Sequence, residues 1–267
     1  MKDFFGFGGY TRPAEGFLSW QHLTFVTLLM TLMTVLAVII GKKHRGRNQT
    51  LQNKPLIVSA ILIDTLELFK IILISFRAGN AMEWLYMLPL FLCSIQLITI
   101  PLAAFSKGRL KEVALDFVLI FGILGAIFGT YGAGNNYSAY PVLSFDNIIS
   151  GITHAISGFA SLYIAIVGMA SMKKKNLPFS FAILCGFCLV AYITNLAIDY
   201  NYMFLMQSDG TPYEIFYQLV NGSPVLYPIT VVLLFLLYIS AFYACFYLIV
   251  KKRRTVPTPI REEVYTQ

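Results

Sequence analysis

Long apolar stretches, separated by short polar connections, follow one another along the whole chain. A bilayer core about 30 Å thick requires about 20 apolar residues in a helix. Seven stretches meet this requirement, at residues 22–40, 55–76, 83–105, 112–132, 144–172, 178–200 and 225–250. The pattern therefore predicts an all-α, polytopic membrane helix bundle with about seven transmembrane helices. Residues 1–267 form one domain in this interpretation, with a leader at 1–21, the bundle at 22–250 and a basic tail at 251–267.

The composition points to the same class of protein. The chain is 57% hydrophobic and only 12% charged, with a mean hydropathy of +0.70. Soluble domains carry about 25% charged residues, so this chain has too few charged groups to cover a water-exposed surface. These values argue against a soluble enzyme and a disordered chain. We predict a multi-pass protein of the cell membrane, with membrane lipids as partners and no nucleic acid.

The basic residues are grouped between alternate spans. Sixteen of the 20 Lys and Arg residues lie in four stretches, at 42–54, 107–111, 173–175 and 251–261. The positive-inside rule places such stretches in the cytoplasm. Seven spans then put the N-terminus outside and the tail in the cytoplasm. The net charge of +7 is thus explained by topology rather than by a polyanionic partner.

Small residues and prolines predict local features of the bundle. Two spans carry small residues at three- and four-residue spacing, which lets helices approach closely in lipid. These residues are Gly122, Gly125 and Gly129 in the fourth span and Gly151, Ala155 and Gly158 in the fifth. Pro89 and Pro101 are expected to bend the third span, because proline lacks a backbone N–H group.

Polar groups at membrane depth are costly and are therefore functional candidates. On the predicted topology, these polar groups gather in the outer half of the bundle. Asp116 is the exception, and we expect it to snorkel or to cap a helix. We predict a cavity open to the outer side that binds a lipid or another amphipathic molecule. Its predicted lining is Glu67, Lys70, Cys93, Gln96, His154, Asn195 and Asp199, with His22 at its mouth. An ion pair between Glu67 and Lys70 is the structural alternative for those two residues.

Cys93 and His154 form the one pair in this set with an evident chemistry. Each lies ten residues from the outer end of its predicted span, which is about 15 Å along a helix. A cysteine beside a histidine can act as nucleophile and general base in acyl transfer. Each residue by itself also has a structural interpretation, as packing or as a hydrogen-bonded histidine. The sequence contains no H-E-x-x-H, P-loop, G-x-S-x-G or dinucleotide motif, and we expect no metal or cofactor.

Four sequence stretches resemble a known family. They are WQHL at 20–23, LPLFLCSI at 88–95, DNIISGITHAISG at 146–158 and NYMFLM at 201–206. They are similar to the YwaF-like bacterial integral membrane proteins, which share a family with the eukaryotic transmembrane protein 164. The similarity extends from the first span to the seventh.

The resemblance implies an activity. The eukaryotic relatives are regarded as phospholipid acyltransferases that use a Cys and a His, and the THAISG match assigns the histidine to His154. The bacterial motif usually reads LPLHLC, whereas this chain has Phe91 in place of that histidine. If the eukaryotic Pro-Cys-His is matched through its proline, its cysteine corresponds to Leu90 rather than to Cys93.

Two functions from different classes stay open at this point. In the first, the cavity binds a lipid, and its enzymatic form is acyl transfer, with Cys93 as nucleophile and His154 as base. Asn195 or Gln96 would then stabilise the oxyanion. In the second, the chain is a small-molecule transporter or a substrate-capture subunit. In this second function, Glu67, Lys70 and Asp199 would bind a polar solute or a cation. The sequence specifies neither the ligand nor the oligomeric state.

Overall fold

A computed structural model describes residues 3–255, and the side chains of residues 3–249. Nine α-helices follow one another in this part of the chain, and no β-strand occurs in it, which confirms the all-α class. The helices are α1 (Trp20–His44), α2 (Gln49–Ala78), α3 (Gln96–Phe105), α4 (Gly108–Phe128), α5 (Gly134–Ala139), α6 (Phe145–Val167), α7 (Leu177–Ile198), α8 (Glu214–Leu219) and α9 (Leu226–Thr255). Most of the predicted tail, residues 256–267, lies outside the described residues.

Four helical segments are long and apolar enough to cross a membrane. They are Trp20–His44, Phe145–Val167, Lys174–Ile198 and Leu226–Ile249. The chain is therefore a membrane protein. Helix α2 is also long, with 30 residues, but it carries four ionisable side chains in its second half. Helix α4 has 21 residues and four charged side chains in its first half. The count of seven spans and the orientation of the termini stay predictions.

The predicted third span, residues 83–105, is wrong as a continuous helix. It consists of a 3-10 turn at Glu83–Met87, a non-helical stretch at 88–95 and the ten-residue helix α3. Pro89 explains the break, because a proline disfavours the helical conformation of the residue before it. Leu88 is indeed extended, with φ −60° and ψ 150°. Cys93 therefore lies in non-helical chain, just before α3 begins.

Helices α4 and α6 form the centre of the bundle. Helix α6 packs against α1, α2 and α4, and α3 packs between α2 and α4. A Cβ atom on Gly122 would lie 2.7 Å from the Ser157 carbonyl oxygen, and one on Gly158 would lie 2.7 Å from the Ala126 Cβ. Side chains at these two glycines would therefore force α4 and α6 apart. This confirms the close helix packing predicted from the small residues.

The carboxylate of Asp116 is fully buried, so the prediction that it snorkels is wrong. It accepts hydrogen bonds from the Met172 N–H group at 2.9 Å, from Asn176 Nδ2 at 2.9 Å and from the Tyr243 hydroxyl at 3.2 Å. These three donors replace water around the carboxylate. Asp116 thus joins α4 to the connection between α6 and α7 and to α9.

The described part of the leader, residues 3–19, packs against one end of the bundle. The Arg77 guanidinium on α2 donates two hydrogen bonds to the Asp146 carboxylate on α6, at 2.7 and 3.0 Å. It also donates to the Phe5 carbonyl at 3.1 Å, and the Tyr10 hydroxyl donates to Asp146. These contacts hold the leader against the adjoining ends of α2 and α6.

Candidate functional site

The structure brings the side chains of Cys93 and His154 close to one another. Cys93 precedes α3, and His154 lies in the third turn of α6. Helix α4 leaves room for them, because it carries glycine at the two nearest positions. A Cβ atom on Gly125 would contact the Cys93 Cβ at 3.5 Å, and one on Gly129 would lie 2.0 Å from His154 Nε2. Both site residues are partly buried.

A backbone carbonyl fixes the proton position on the His154 ring. Nδ1 lies 2.7 Å from the carbonyl oxygen of Ser150, one turn earlier on α6. A carbonyl oxygen can only accept a hydrogen bond, so Nδ1 carries the proton. Nε2 then keeps a free lone pair on the side of the ring that faces the glycines of α4. This is the tautomer that a general base for the Cys93 thiol requires.

Hydrogen-bond donors surround the cysteine. Within the described part of the chain, the backbone N–H groups of Leu92, Cys93 and Ser94 have no acceptor. They lie in the non-helical stretch just before α3, near the positive end of the helix dipole, which favours a negative charge. Gln96, one turn further on, is fully buried, and no described residue accepts a hydrogen bond from its Nε2. Its Oε1 accepts from the Thr99 hydroxyl at 3.1 Å. Donors of this kind can stabilise a thiolate or an oxyanion.

Glu67 and Lys70 form an ion pair on α2 beside this site. Lys70 Nζ lies 2.5 Å from Glu67 Oε1, and both side chains are less than one fifth exposed. The Lys70 charge lies close enough to act on both Cys93 and His154. The two residues thus form the ion pair that the sequence analysis gives as their structural alternative. Each charge is largely neutralised by the other.

Two other predicted site residues, Asn195 and Asp199, lie near the end of α7. Asn195 is buried, and both of its polar atoms bind the backbone of Tyr202, at 2.7 and 3.0 Å. Asp199 is exposed and ends α7 in the left-handed conformation, with φ 53°. The polar atoms of Asn195 are therefore not free to line a cavity at Cys93, and both residues lie at the same end of α7, as predicted.

His22 is fully buried and uses both ring nitrogens. Nδ1 accepts a hydrogen bond from the Leu18 N–H group at 3.1 Å, and Nε2 donates to the Thr130 carbonyl at 3.0 Å. Its ring also packs against Tyr137, with the centroids 3.8 Å apart. His22 thus fastens the start of α1 to the end of α4, and it does not lie at the mouth of a cavity.

Two surface grooves lie away from these residues. One, of about 260 Å³, lies along α1 and is lined by Thr27, Met30, Thr31, Thr34, Val35 and Tyr131. The other, of about 390 Å³, lies beside α8 and is lined by Glu214, Tyr217, Gln218, Asn221 and Gly222. Neither groove includes a predicted site residue. The predicted lining is therefore a packed region of polar groups rather than one of these two grooves.

The position of Phe91 bears on the choice of cysteine. Its ring packs into an aromatic cluster with Tyr200, Tyr202 and Phe204, at centroid distances of 5.1 to 6.3 Å. Leu90 is buried, with 7% of its surface exposed. Of the residues proposed for the nucleophile position, Cys93 is the one whose side chain meets His154.

Sequence reasoning missed several groups that shape this site. Ser150 contributes only its carbonyl oxygen, and any residue type supplies one, so no sequence signal marks it. Gly125 and Gly129 were assigned to helix packing alone. Their four-residue spacing was the available signal that one face of α4 leaves space for larger side chains on neighbouring segments.

Comparisons with known proteins identify the family of the chain. A family model described as the TMEM164 family matches residues 17–249. No curated protein and no solved structure matches the chain. The matched range contains α1 to α8, most of α9 and the Cys93 and His154 positions. Because the match covers most of the chain, the resemblance to the transmembrane protein 164 family is confirmed, and the chain belongs to the TMEM164 family.

Proposed function

We propose that this chain is a membrane-embedded acyltransferase that takes an acyl group from a lipid ester onto Cys93. One observation carries the proposal: the Cys93 thiol faces His154, and the Ser150 carbonyl holds His154 in the tautomer of a general base. The apolar helices support a substrate that reaches the site from the lipid phase. Seven crossings of the cell membrane, with the N-terminus outside, are part of this proposal.

The first half-reaction forms an acyl-enzyme. His154 Nε2 takes the proton from the Cys93 thiol, and the thiolate sulfur attacks the carbonyl carbon of the lipid ester. The amide groups at the start of α3 and Gln96 Nε2 donate to the resulting oxyanion. When the tetrahedral intermediate collapses, the carbon–oxygen bond breaks. His154 returns its proton to the leaving alkoxide, and the acyl group stays on Cys93 as a thioester.

The second half-reaction moves the acyl group to another lipid. A hydroxyl group of the acceptor gives its proton to His154 Nε2 and attacks the thioester carbonyl. Collapse of this intermediate releases the new ester, and the Cys93 sulfur takes the proton back from His154. The overall reaction exchanges one ester for another, so it consumes neither water nor an oxidant.

The geometry favours acyl transfer over solute transport. The transport hypothesis needs Glu67, Lys70 and Asp199 to converge on a polar solute or a cation. Glu67 and Lys70 instead bind one another, and Asp199 is exposed at the end of α7. These residues therefore offer no common site for a solute.

Trapping the thioester tests the proposal. The purified chain is reconstituted into vesicles of phosphatidylcholine and phosphatidylglycerol that contain a phospholipid with a labelled acyl chain and a lysophospholipid acceptor. Mass spectrometry should find the labelled acyl group on the peptide that contains Cys93, and neutral hydroxylamine should release it. Cys93→Ala should abolish both the adduct and the transfer. His154→Ala should lower the rate by about a hundredfold or more, as expected for loss of a general base.

A matched control is available on α7. Cys185 is exposed and is not part of the proposed site. Cys185→Ala should therefore transfer the label at the rate of the unmodified chain. Transfer by Cys93→Ala at that same rate would refute the proposed nucleophile.

A further inference from the structure

The Tyr202 hydroxyl supports the non-helical stretch at 88–95, which carries Cys93. The Leu88 N–H group donates to the Tyr202 oxygen at 3.0 Å, and the Tyr202 hydroxyl donates to the Leu85 carbonyl at 2.5 Å. A broken helix at membrane depth leaves backbone groups that water cannot satisfy, so another part of the protein must do so. Tyr202 does this at the point where the 3-10 turn ends and the stretch begins.

Tyr202 is itself held rigidly. Its side chain is fully buried, and Asn195 binds both sides of its backbone, accepting from the N–H group and donating to the carbonyl. The Tyr202 ring packs against Phe91 with a centroid distance of 5.1 Å. Contacts from Tyr202 therefore reach the stretch on both sides of Pro89 and come within two residues of Cys93.

The backbone after Tyr202 is strained. Met203 and Phe204 both have positive φ angles, 56° and 57°, which side chains other than glycine rarely adopt. Such conformations are costly and persist only where the surroundings enforce them. The Asn201 side chain contributes to this, because it donates to the Gln207 carbonyl at 2.8 Å and accepts from the Met206 N–H group at 2.9 Å.

We infer that Tyr202, fixed by Asn195, is a positioning residue that holds Cys93 opposite His154. The two sequence stretches LPLFLCSI and NYMFLM then form one unit, in which the second braces the first. Asn195 acts through Tyr202 and not on the oxyanion, since both of its polar atoms are already engaged. The inference rests on the proposed function in one respect, that Cys93 is the reacting residue.

Tyr202→Phe tests the inference, because it removes the hydroxyl and keeps the ring. Tyr163→Phe is the matched control: Tyr163 is also fully buried, and its hydroxyl donates to a backbone carbonyl, that of Gln52, at 2.8 Å. Hydrogen exchange of the peptide 85–95 is measured in detergent, and kcat and KM of acyl transfer are measured in the vesicles described above. Thermal unfolding confirms that each variant is folded.

Tyr202→Phe should exchange faster within 85–95, and the control should not. Its kcat should fall by about tenfold to a hundredfold, the effect of a misplacement near 1 Å, with KM unchanged. If Tyr202→Phe does not fold, Phe91→Leu weakens the same brace through the ring contact alone and should give the same pattern.

Three results would separate the possible failures. Unchanged exchange within 85–95 would overturn the brace. Faster exchange with unchanged kcat, in a chain that Cys93→Ala inactivates, would overturn the positioning role. Full transfer by Cys93→Ala would refute the proposed function, and the exchange measurement would still decide whether Tyr202 braces the stretch.

Discussion

A single methyl group on α4 should disable the proposed site while leaving the fold intact. Gly129 follows the last residue of α4 and has φ −77° and ψ −4°, a conformation that alanine adopts without strain. A Cβ atom at this position would lie 1.9 Å from His154 Cδ2 and 2.0 Å from His154 Nε2. It would also lie 2.6 Å from the Gly125 carbonyl oxygen. The effect of Gly129→Ala is therefore steric, and the imidazole ring is the nearest group.

The required displacement follows from these distances. Non-bonded carbon atoms rest at about 3.5 Å or more. The His154 ring must therefore move by about 1.5 Å, away from the 1.9 Å contact. A misplacement near 1 Å costs on the order of a hundredfold in rate. Overpacking also costs about 1–3 kcal/mol of stability, which a folded membrane protein can tolerate. We expect Gly129→Ala to fold and to lose at least about a hundredfold in kcat.

The assay is acyl transfer in vesicles, with thermal unfolding measured on the same preparations. Gly186→Ala is the control, since a Cβ atom at Gly186 in the middle of α7 meets nothing within 4 Å. Alanine is the better helix former by about 1 kcal/mol, so this variant should keep its activity and gain slight stability. If Gly129→Ala transferred acyl groups at the rate of Gly186→Ala, the assignment of His154 as base would be refuted.

Three further predictions concern groups outside the Cys93–His154 pair. Arg77→Ala leaves the Asp146 carboxylate buried without its partner and should lower the free energy of unfolding by about 3 kcal/mol in denaturant titrations. Burial, and then the hydrogen bond to Asp146, raise the pKa of Tyr10 from 10.0 to about 12. The contribution of Tyr10 to stability is therefore complete below about pH 10 and is lost as the pH rises through about 12. Denaturant titrations at increasing pH should show this loss for the unmodified chain and should not show it for Tyr10→Phe. His22→Phe leaves the Thr130 carbonyl unpaired and should lower the unfolding free energy by about 2 kcal/mol, with acyl transfer by the folded fraction unchanged.

Hydropathy along the chain predicted the positions of most helices, because that signal is local. The predicted spans at 22–40, 144–172 and 178–200 overlap α1, α6 and α7 over nearly their whole lengths. The same signal failed at 83–105, where the residues are apolar enough but Pro89 prevents a continuous helix. Apolar character predicts that a stretch lies in the membrane, and the backbone chemistry of proline decides whether it is helical there.

Counting residues from the outer ends of the predicted spans places Cys93 and His154 at the same depth, and the structure brings the two side chains close to one another. The count could not assign Asn195 and His22, because their partners are backbone groups far away in sequence. The His22 ring binds the Thr130 carbonyl, 108 residues away. Any residue offers a carbonyl oxygen, so nothing in the side-chain pattern predicts which one is bound. Buried polar residues at equal depth are therefore candidates for one site only until their hydrogen bonds are known.

The break before α3 explains why the reactive groups lie where they do. Each unsatisfied donor in an apolar environment costs several kcal/mol, so breaks in membrane helices are expected to be fully hydrogen-bonded. Tyr202 and the Ser94 hydroxyl, which accepts from the Phe91 N–H group at 3.0 Å, satisfy part of this break. Among the described residues, three consecutive N–H groups at Leu92, Cys93 and Ser94 have no backbone acceptor, and they belong to the cysteine and its two neighbours in the chain. Unpaired donors spread at random would only destabilise the fold. Donors at the cysteine and its two neighbours instead favour a negative charge that forms there, as the thiolate and the oxyanion of acyl transfer both do.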